Sequence, residues 1–308
     1  MTKSLSPVQG AELWVPKGDT LVLRAGAYGP HTEFARVSAR SRFRRGEGLP
    51  GTVWESERAV VWHDLASHFV RAEYARAAGI DGAVAFPWFQ GPSLAGVVTL
   101  LLSSDSETVG CVELWKREPP VDVLKHAGGF YVNAGEFERV SRLVQFPYAA
   151  GLPGQAWSTG IPLFVQDVRN SGEFVRAELA AAAGLARGIS VPLYRERKVT
   201  HALTFLCGEQ QPFVRGFELF VREDQGLVSR AAFDEPSESA ATPPSTPGTP
   251  RGRELLAREA RYSQLPLVTT VRTTTGPAEG GPGSESAVVL TLPIHDGIRL
   301  RAVACFEF

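Results

Sequence analysis

Residues 48–65 read GLPGTVWESERAVVWHDL, and residues 151–168 read GLPGQAWSTGIPLFVQDV. Each copy opens on two glycines around Leu-Pro. A tryptophan follows (Trp54, Trp157), then an apolar run, then an aspartate (Asp64, Asp167). One reading is a phosphate cradle, since Gly46, Gly48 and Gly51 spell G-x-G-x-x-G. That fingerprint binds dinucleotides where a strand leads into it and a helix opens on it. Here an Arg-rich polar stretch leads in, a strand-like stretch is expected after it, and the second copy has Ala149 in place of Gly46. The other reading is a repeated scaffold loop. Gly48, Gly51, Gly151 and Gly154 supply unusual φ angles, and Pro50 and Pro153 fix the turn. The scaffold reading is preferred, with Asp64 and Asp167 as turn or helix caps. Arg71 and Arg176 are then candidate ion partners of those carboxylates.

The repeat extends in both directions. HFVRAEYARAAGI (68–80) matches EFVRAELAAAAGL (173–185), after two residues added in the second copy. AFPWF (85–89) matches SVPLY (190–194), ELW (12–14) matches ELW (113–115), and EFARVS (33–38) matches EFERVS (136–141). A third copy is weaker. GFELFVREDQGLVSRAAF (216–233) resembles the opening of each unit, and AVVLTLPIHDGIRLRAVACFEF (287–308) resembles the close. Between them DEPSESAATPPSTPGTPRGR (234–253) is too rich in Pro, Ser and Thr to bury apolar surface, and disorder is expected there. Three units follow: residues 1–104, 105–210, and a degenerate 211–308.

Within a unit, AELWVPKGDTLVLRAGAY (11–28) predicts a hairpin with a Pro-Lys-Gly-Asp turn. RAVVWHD (58–64) and PLFVQD (162–167) predict short strands. FVRAEYARAAG (69–79) predicts a helix stopped by Gly79. The expected fold class is α+β, with tandem antiparallel sheets that carry loops and one short helix on one face. LAGVVTLLL (94–102) and ALTFLC (202–207) are apolar on both alternating faces, whereas a sheet with one wet face alternates. Something therefore covers the back of each sheet, either a neighbouring unit or a partner chain.

Composition excludes several classes. The 32 basic residues nearly balance 33 acidic ones, so the excess expected of a nucleic-acid binder is missing. The apolar run at 94–102 is far short of the roughly 20 residues that cross a bilayer. MTKSLSPVQGAELW lacks the apolar core of a signal peptide, and a cytoplasmic protein is expected. The three cysteines, Cys111, Cys207 and Cys305, form neither a disulfide framework nor a zinc pattern. His63 and His68 lie close in sequence, but no third ligand has metal-binding spacing. No cofactor or metal is expected.

GEGLPGTVWESERAVVWHDLASHFVRAEYARAAGIDGAVAFP (46–87) resembles the central part of bacterial GAF domains. Those commonly carry a Gly-Leu-Pro-Gly loop, a Trp, an apolar strand ending in Asp, a Phe-x-Arg-Ala helix and a Phe-Pro strand. The second copy matches nearly as well through Pro192. The resemblance spans residues 10–208 and reaches the third unit by extension. It implies a small regulatory module, seldom catalytic, that binds a small ligand or a protein. GAF domains usually add helices before the first strand and after the last. Here SSDSETVG (103–110) leaves no room for them between units.

A ligand, if bound, is expected in the first unit, where aromatics and arginines concentrate. The candidates are Arg44, Trp54, Trp62, His68, Tyr74 and Trp88, between the sheet, the 66–79 helix and the 43–50 loop. The run Arg36, Arg40, Arg42, Arg44 and Arg45 reads as a charged edge that blocks unwanted strand pairing. Methionine sulfoxide reductases of this fold use several cysteines that converge on one pocket, and bilin-binding members need a suitably placed cysteine. Unit one has none. The leading expectation is a non-catalytic regulatory protein that acts through protein contact, with the altered third unit as partner surface. A small-molecule sensor and a thiol redox enzyme are the alternatives.

Overall fold

The computed structural model describes residues 6–65, 69–172, 174–209, 212–224, 226–234, 250–273 and 285–308. The first unit runs β1 (Val8–Lys17), β2 (Thr20–Ala27), α1 (Thr32–Arg40), β3 (Arg42–Phe43), α2 (Gly48–Ser56), β4 (Val60–His63), α3 (Ala72–Ala77), β5 (Gly82–Gln90) and β6 (Ser93–Leu102). The second repeats it: β7 (Gly110–Glu118), β8 (Val123–Val132), α4 (Gly135–Ser141), β9 (Gln145–Pro147), α5 (Gly151–Thr159), β10 (Leu163–Val165), α6 (Ala177–Ala182), β11 (Leu185–Arg195) and β12 (Lys198–Gly208). The third keeps β13 (Gly216–Glu223), β14 (Gly226–Asp234), α7 (Pro250–Ser263), β15 (Leu267–Thr273), β16 (Glu285–Asp296) and β17 (Arg299–Glu307).

All three sheets are antiparallel and share one strand order. The first is β3-β2-β1-β6-β5-β4, the second β9-β8-β7-β12-β11-β10, and the third β14-β13-β17-β16-β15. The chain is thus α+β, mostly antiparallel sheet with a few helices. Registers coincide as well. Glu12 lies opposite Gly26 and Thr99, Glu113 opposite Gly129 and Thr204, and Glu218 opposite Ala232 and Cys305.

Three sequence expectations need correction. Units one and two each carry three short helices rather than one. The Gly-Leu-Pro-Gly stretches are not loops: Gly48, Pro50 and Gly51 form the first turn of α2, and Gly151, Pro153 and Gly154 that of α5. Proline is tolerated there because a first-turn N–H has no intrahelical acceptor. The inner glycines are needed for close approach: a Cβ on Gly51 would sit 2.1 Å from the Arg44 carbonyl oxygen, and one on Gly154 2.4 Å from that of Pro147. The expected disorder at 234–253 is too wide. Asp234 ends β14, and residues 250–253 open α7, with Arg253 buried. Residues 235–249 lie outside the described residues.

The doubly apolar strands have a structural cause. One face of every sheet points into a single core shared by all three units. Leu13, Phe86 and Leu100 meet Leu114, Ile189 and Phe205 there, and also Phe217, Leu290 and Phe306. The units close a ring. β4 lies against β8, β15 against β1 and β2, and Phe164 of β10 stacks on Phe233 of β14 at 5.1 Å. Each sheet thus offers its far edge to the hairpin of the next, a head-to-tail arrangement that closes after three. No helix among the described residues is long and apolar enough to cross a membrane.

Candidate functional site

Strand alternation sends Ala11 and Leu13 into the shared core and Glu12 and Trp14 to the helix-covered face. Glu12 is fully buried there. Its carboxylate accepts a two-pronged hydrogen bond from Arg71, through Nη1 and through Nη2 at 3.0 Å. It also accepts from the Trp14 indole at 2.9 Å and the Tyr28 hydroxyl at 3.1 Å. Gly26 makes the last contact possible, because a Cβ on it would collide with the Tyr28 hydroxyl at 2.5 Å. Arg71 Nη1 donates also to Ser38 Oγ, whose own proton goes to the Phe34 carbonyl at 2.8 Å. Four rings enclose the guanidinium: Phe34 and Phe69 at 4.7 Å, Trp14 at 5.3 Å and Phe43 at 5.7 Å.

Unit two repeats the arrangement atom for atom. Glu113 accepts from Arg176 Nη1 at 2.6 Å and Nη2 at 2.8 Å, from Trp115 at 3.2 Å and from Tyr131 at 3.1 Å. Arg176 also donates to Ser141 and sits among Phe137, Trp115, Phe146 and Phe174. Burial pushes the Glu113 carboxyl up, but the guanidinium beside it more than offsets this and holds it below the usual range. Burial and the adjacent carboxylate push the Tyr131 hydroxyl up. A neutral phenol donating to a charged carboxylate is the stable state of this cluster.

Unit three has a different interior. Its counterpart of Trp14 is Phe220, and Asp234 stands in register where the other units have Tyr28 and Tyr131. Its buried arginine, Arg253, comes from α7 and pairs with Asp234 and with Glu307 at 3.0 Å. Among the described residues, Glu218 Oε2 and Arg253 Nη1 are buried without hydrogen-bond partners. Burial raises the Glu218 pKa, partly offset by Ser229 and Arg253.

The expected ligand residues are divided between the two faces of the first sheet and its surface. Trp54 is buried and Trp62 half-buried on the helix-covered face, whereas Trp88 faces the shared core and donates to the Gln264 carbonyl at 3.4 Å. Arg44 is exposed, and it is Arg45 that covers the Trp54 ring, at 4.6 Å. Tyr74 is 39% exposed at the surface. His68 lies outside the described residues. The space expected to hold a ligand is occupied by Arg71. The expected aspartate partners are also corrected: Arg71 and Arg176 pair with the strand glutamates, and Asp167 pairs with Arg169 and Asn170. These glutamates were the missed residues. Their signal was a charge between apolar neighbours in ELW, ELW and ELF, at the same strand position in all three copies.

The three thiols are fully buried. Cys111 points to the helix-covered face of its sheet, while Cys207, on the adjacent strand, points into the shared core. The two cannot meet across the sheet. Burial pushes Cys111 well up and Cys207 and Cys305 up to about 12. At pH 8 the native protein is therefore expected to leave a disulfide reagent such as DTNB unreacted for minutes, while all three thiols titrate after denaturation. No group of three His, Cys, Asp or Glu among the described residues could hold a metal.

His201 is buried on β12, and burial, with Lys116 and Arg58 nearby, holds its pKa down at about 4. A folded pKa below the unfolded value means the folded state binds fewer protons. Stability is then full above about pH 6.5 and falls as pH drops from there to about 4. The loss expected from this group is about 3 kcal/mol. Urea titrations between pH 7 and pH 4 should show it, and His201→Gln should flatten the slope.

Two cavities stand out. One of about 20 Å³, room for about one water, lies where the closing hairpins converge, between Trp88, Tyr194, Ile294 and His295. The other is an open hollow of about 450 Å³ on unit three, between the β13–β14 turn and the end of α7.

No protein-family model matches the chain. No curated protein matches it either. Solved structures similar to it include a free methionine-R-sulfoxide reductase of Neisseria meningitidis in complex with its substrate, at 22% identity and TM-score 0.26, covering 32% of this chain and 51% of that one. They also include the GAF domain of A. aeolicus nlh2 in an inactive state, at 23% identity and TM-score 0.27, covering 31% and 58%. A third is Staphylococcus aureus NreA mutated in its nitrate-binding site, at 18% identity and TM-score 0.29, covering 35% and 79%. The chain spans little more than half the length of the first two.

Proposed function

We propose that the chain is a non-catalytic regulatory scaffold of three GAF-like units that acts through contact with another protein. The observation that carries this reading is the filled interior of units one and two. A ligand under the helices would have to displace Arg71 or Arg176 and leave a buried glutamate unpaired, a cost of several kcal/mol. The small cavity between the hairpins admits only a solvent molecule. A thiol redox enzyme would need an exposed, ionisable thiolate, and the three thiols here are buried and protonated.

The test is a thermal-shift panel of nucleotides, amino acids, nitrate and methionine sulfoxide against the full chain. No compound is expected to raise the melting temperature. A saturable shift with any of them would move the reading to a sensor. Turnover of methionine sulfoxide with thioredoxin or dithiothreitol as reductant would move it to an enzyme.

A further inference from the structure

Among the described residues the third sheet is open at an edge where the other two are closed. β3 lies along the start of β2, with Phe43 opposite Leu21 and Arg42 opposite Val22. β9 lies along the start of β8, with Phe146 opposite Leu124 and Gln145 opposite Lys125. Leu227 is the equivalent position in β14: it faces Arg222 across the hairpin as Leu21 faces Pro16 and Leu124 faces Arg117. Among the described residues nothing pairs with the outer edge of β14. Such an edge presents unpaired N–H and C=O groups and is a template for an added strand.

The two closed units show what the open edge lacks. Phe43 and Phe146 are buried, each edge-on to a tryptophan, Trp14 at 4.8 Å and Trp115 at 4.7 Å. Phe220 replaces that tryptophan in unit three and has no aromatic partner among the described residues, while Leu227 beside it is half-buried. The segment that follows β14 in sequence, 235–249, holds only Glu, Pro, Ser, Ala, Thr and Gly. It has no phenylalanine to supply.

Charge adds a second requirement. The open hollow adjoins the start of β14 and is lined by Arg222, Arg261 and Arg299, against Glu223 and Asp224. Glu223 is engaged by Arg230. In unit one the positions of Arg222 and Arg299 are Pro16 and Ser93, and in unit two they are Arg117 and Lys198. Units two and three both carry positive charge at this end of the sheet, and in unit three, where nothing among the described residues covers the β14 edge, that charge favours an anionic occupant.

We propose that the Gly226–Ser229 edge of β14 accepts an extended peptide of a protein partner as an added antiparallel strand. The peptide places a phenylalanine opposite Leu227 and acidic residues at Arg222 and Arg299. This rests on the scaffold reading above and names the class of partner.

The probe is a fluorescein-labelled peptide with the Gln-Phe-Pro sequence of β9 between glutamates, titrated into the full chain and read by anisotropy. Saturable binding is expected. Replacing the peptide phenylalanine by alanine should weaken it at least about tenfold, and so should the Arg222→Ala/Arg299→Ala double variant. Added salt should weaken it further. Val228→Pro and Ser229→Pro probe the edge directly. Neighbouring N–H groups on an edge strand point alternately inward and outward, and proline is tolerated at the outward one. The variant that keeps the wild-type melting temperature should lose the peptide.

No saturable binding, or equal binding by the alanine peptide or by that proline variant, overturns the proposal. Binding that appears only after deletion of 236–248 assigns the edge to the chain's own segment and overturns it too. So does a concentration-dependent dimer in sedimentation that the peptide fails to displace. A silent small-molecule panel alongside a failed peptide overturns the edge site alone and leaves the scaffold reading standing.

Discussion

Arg71→Ala is expected to destabilise the protein by about 3–5 kcal/mol, and Arg176→Ala by a similar amount. Each guanidinium is the charge partner of a fully buried glutamate, and its removal leaves Glu12 or Glu113 without compensation in an aromatic cage. In unit two Arg176 holds the Glu113 carboxyl down, so Arg176→Ala lets the orphaned Glu113 take a proton and should lose less stability at pH 5 than at pH 8. The double substitution Glu12→Leu/Arg71→Met removes both charges and keeps the volume. Its cost is expected to be below that of Arg71→Ala, at about 2 kcal/mol, because no buried charge is left unpaired although the Trp14 indole and Tyr28 hydroxyl lose Glu12 as their acceptor. Urea denaturation of the two single variants and the double variant gives the coupling directly. A double variant as unstable as Arg71→Ala would show that the cage depends on the charges rather than on their mutual compensation.

The repeated architecture was legible because its markers are local. Gly-Leu-Pro-Gly, Phe-x-Arg-Ala and Glu-Leu-Trp recur in order, and strands with apolar residues on both faces announce a covered back. The Gly-Leu-Pro-Gly stretch misled at the next level. Glycine and proline usually punctuate structure, yet here they begin α2 and α5, because a bare Cα is required against the Arg44 and Pro147 carbonyls. The ion pairs were not legible as pairs. Glu12 and Arg71 are 59 residues apart, and two aspartates nearer in sequence competed for the arginines. Only the folded sheet shows that Glu12 faces the helices while Asp64 lies exposed at the surface. The expected ligand residues divide for a related reason. Trp54, Trp62 and Trp88 cluster in sequence, but strand alternation places Trp88 on the opposite face. The altered third interior was half legible: the loss of Trp and Tyr could be read, but not the arrival of Arg253 on α7.

Phe306→Ala is expected to cost about 3–5 kcal/mol, and the loss should be felt in all three units at once. Phe306 stands where the sheets meet, 5.3 Å from Phe205 of unit two and 5.1 Å from Phe217 of its own sheet, in the core shared with unit one. All six tryptophans lie in units one and two, so their fluorescence reports on those units alone. If the ring is one cooperative body, the variant should shift the tryptophan-detected unfolding midpoint as far as the midpoint seen by circular dichroism. If the units fold separately, the tryptophan transition should stay at its wild-type midpoint while only part of the dichroism signal moves. The first outcome is expected, because Leu100 and Phe205 would otherwise face water across the inner sides of their sheets. By the same argument, a chain ending at residue 208 should aggregate or dimerise rather than remain a folded monomer. The third unit thus closes the ring with its inner face while its β14 edge and changed interior are where it departs from the first two.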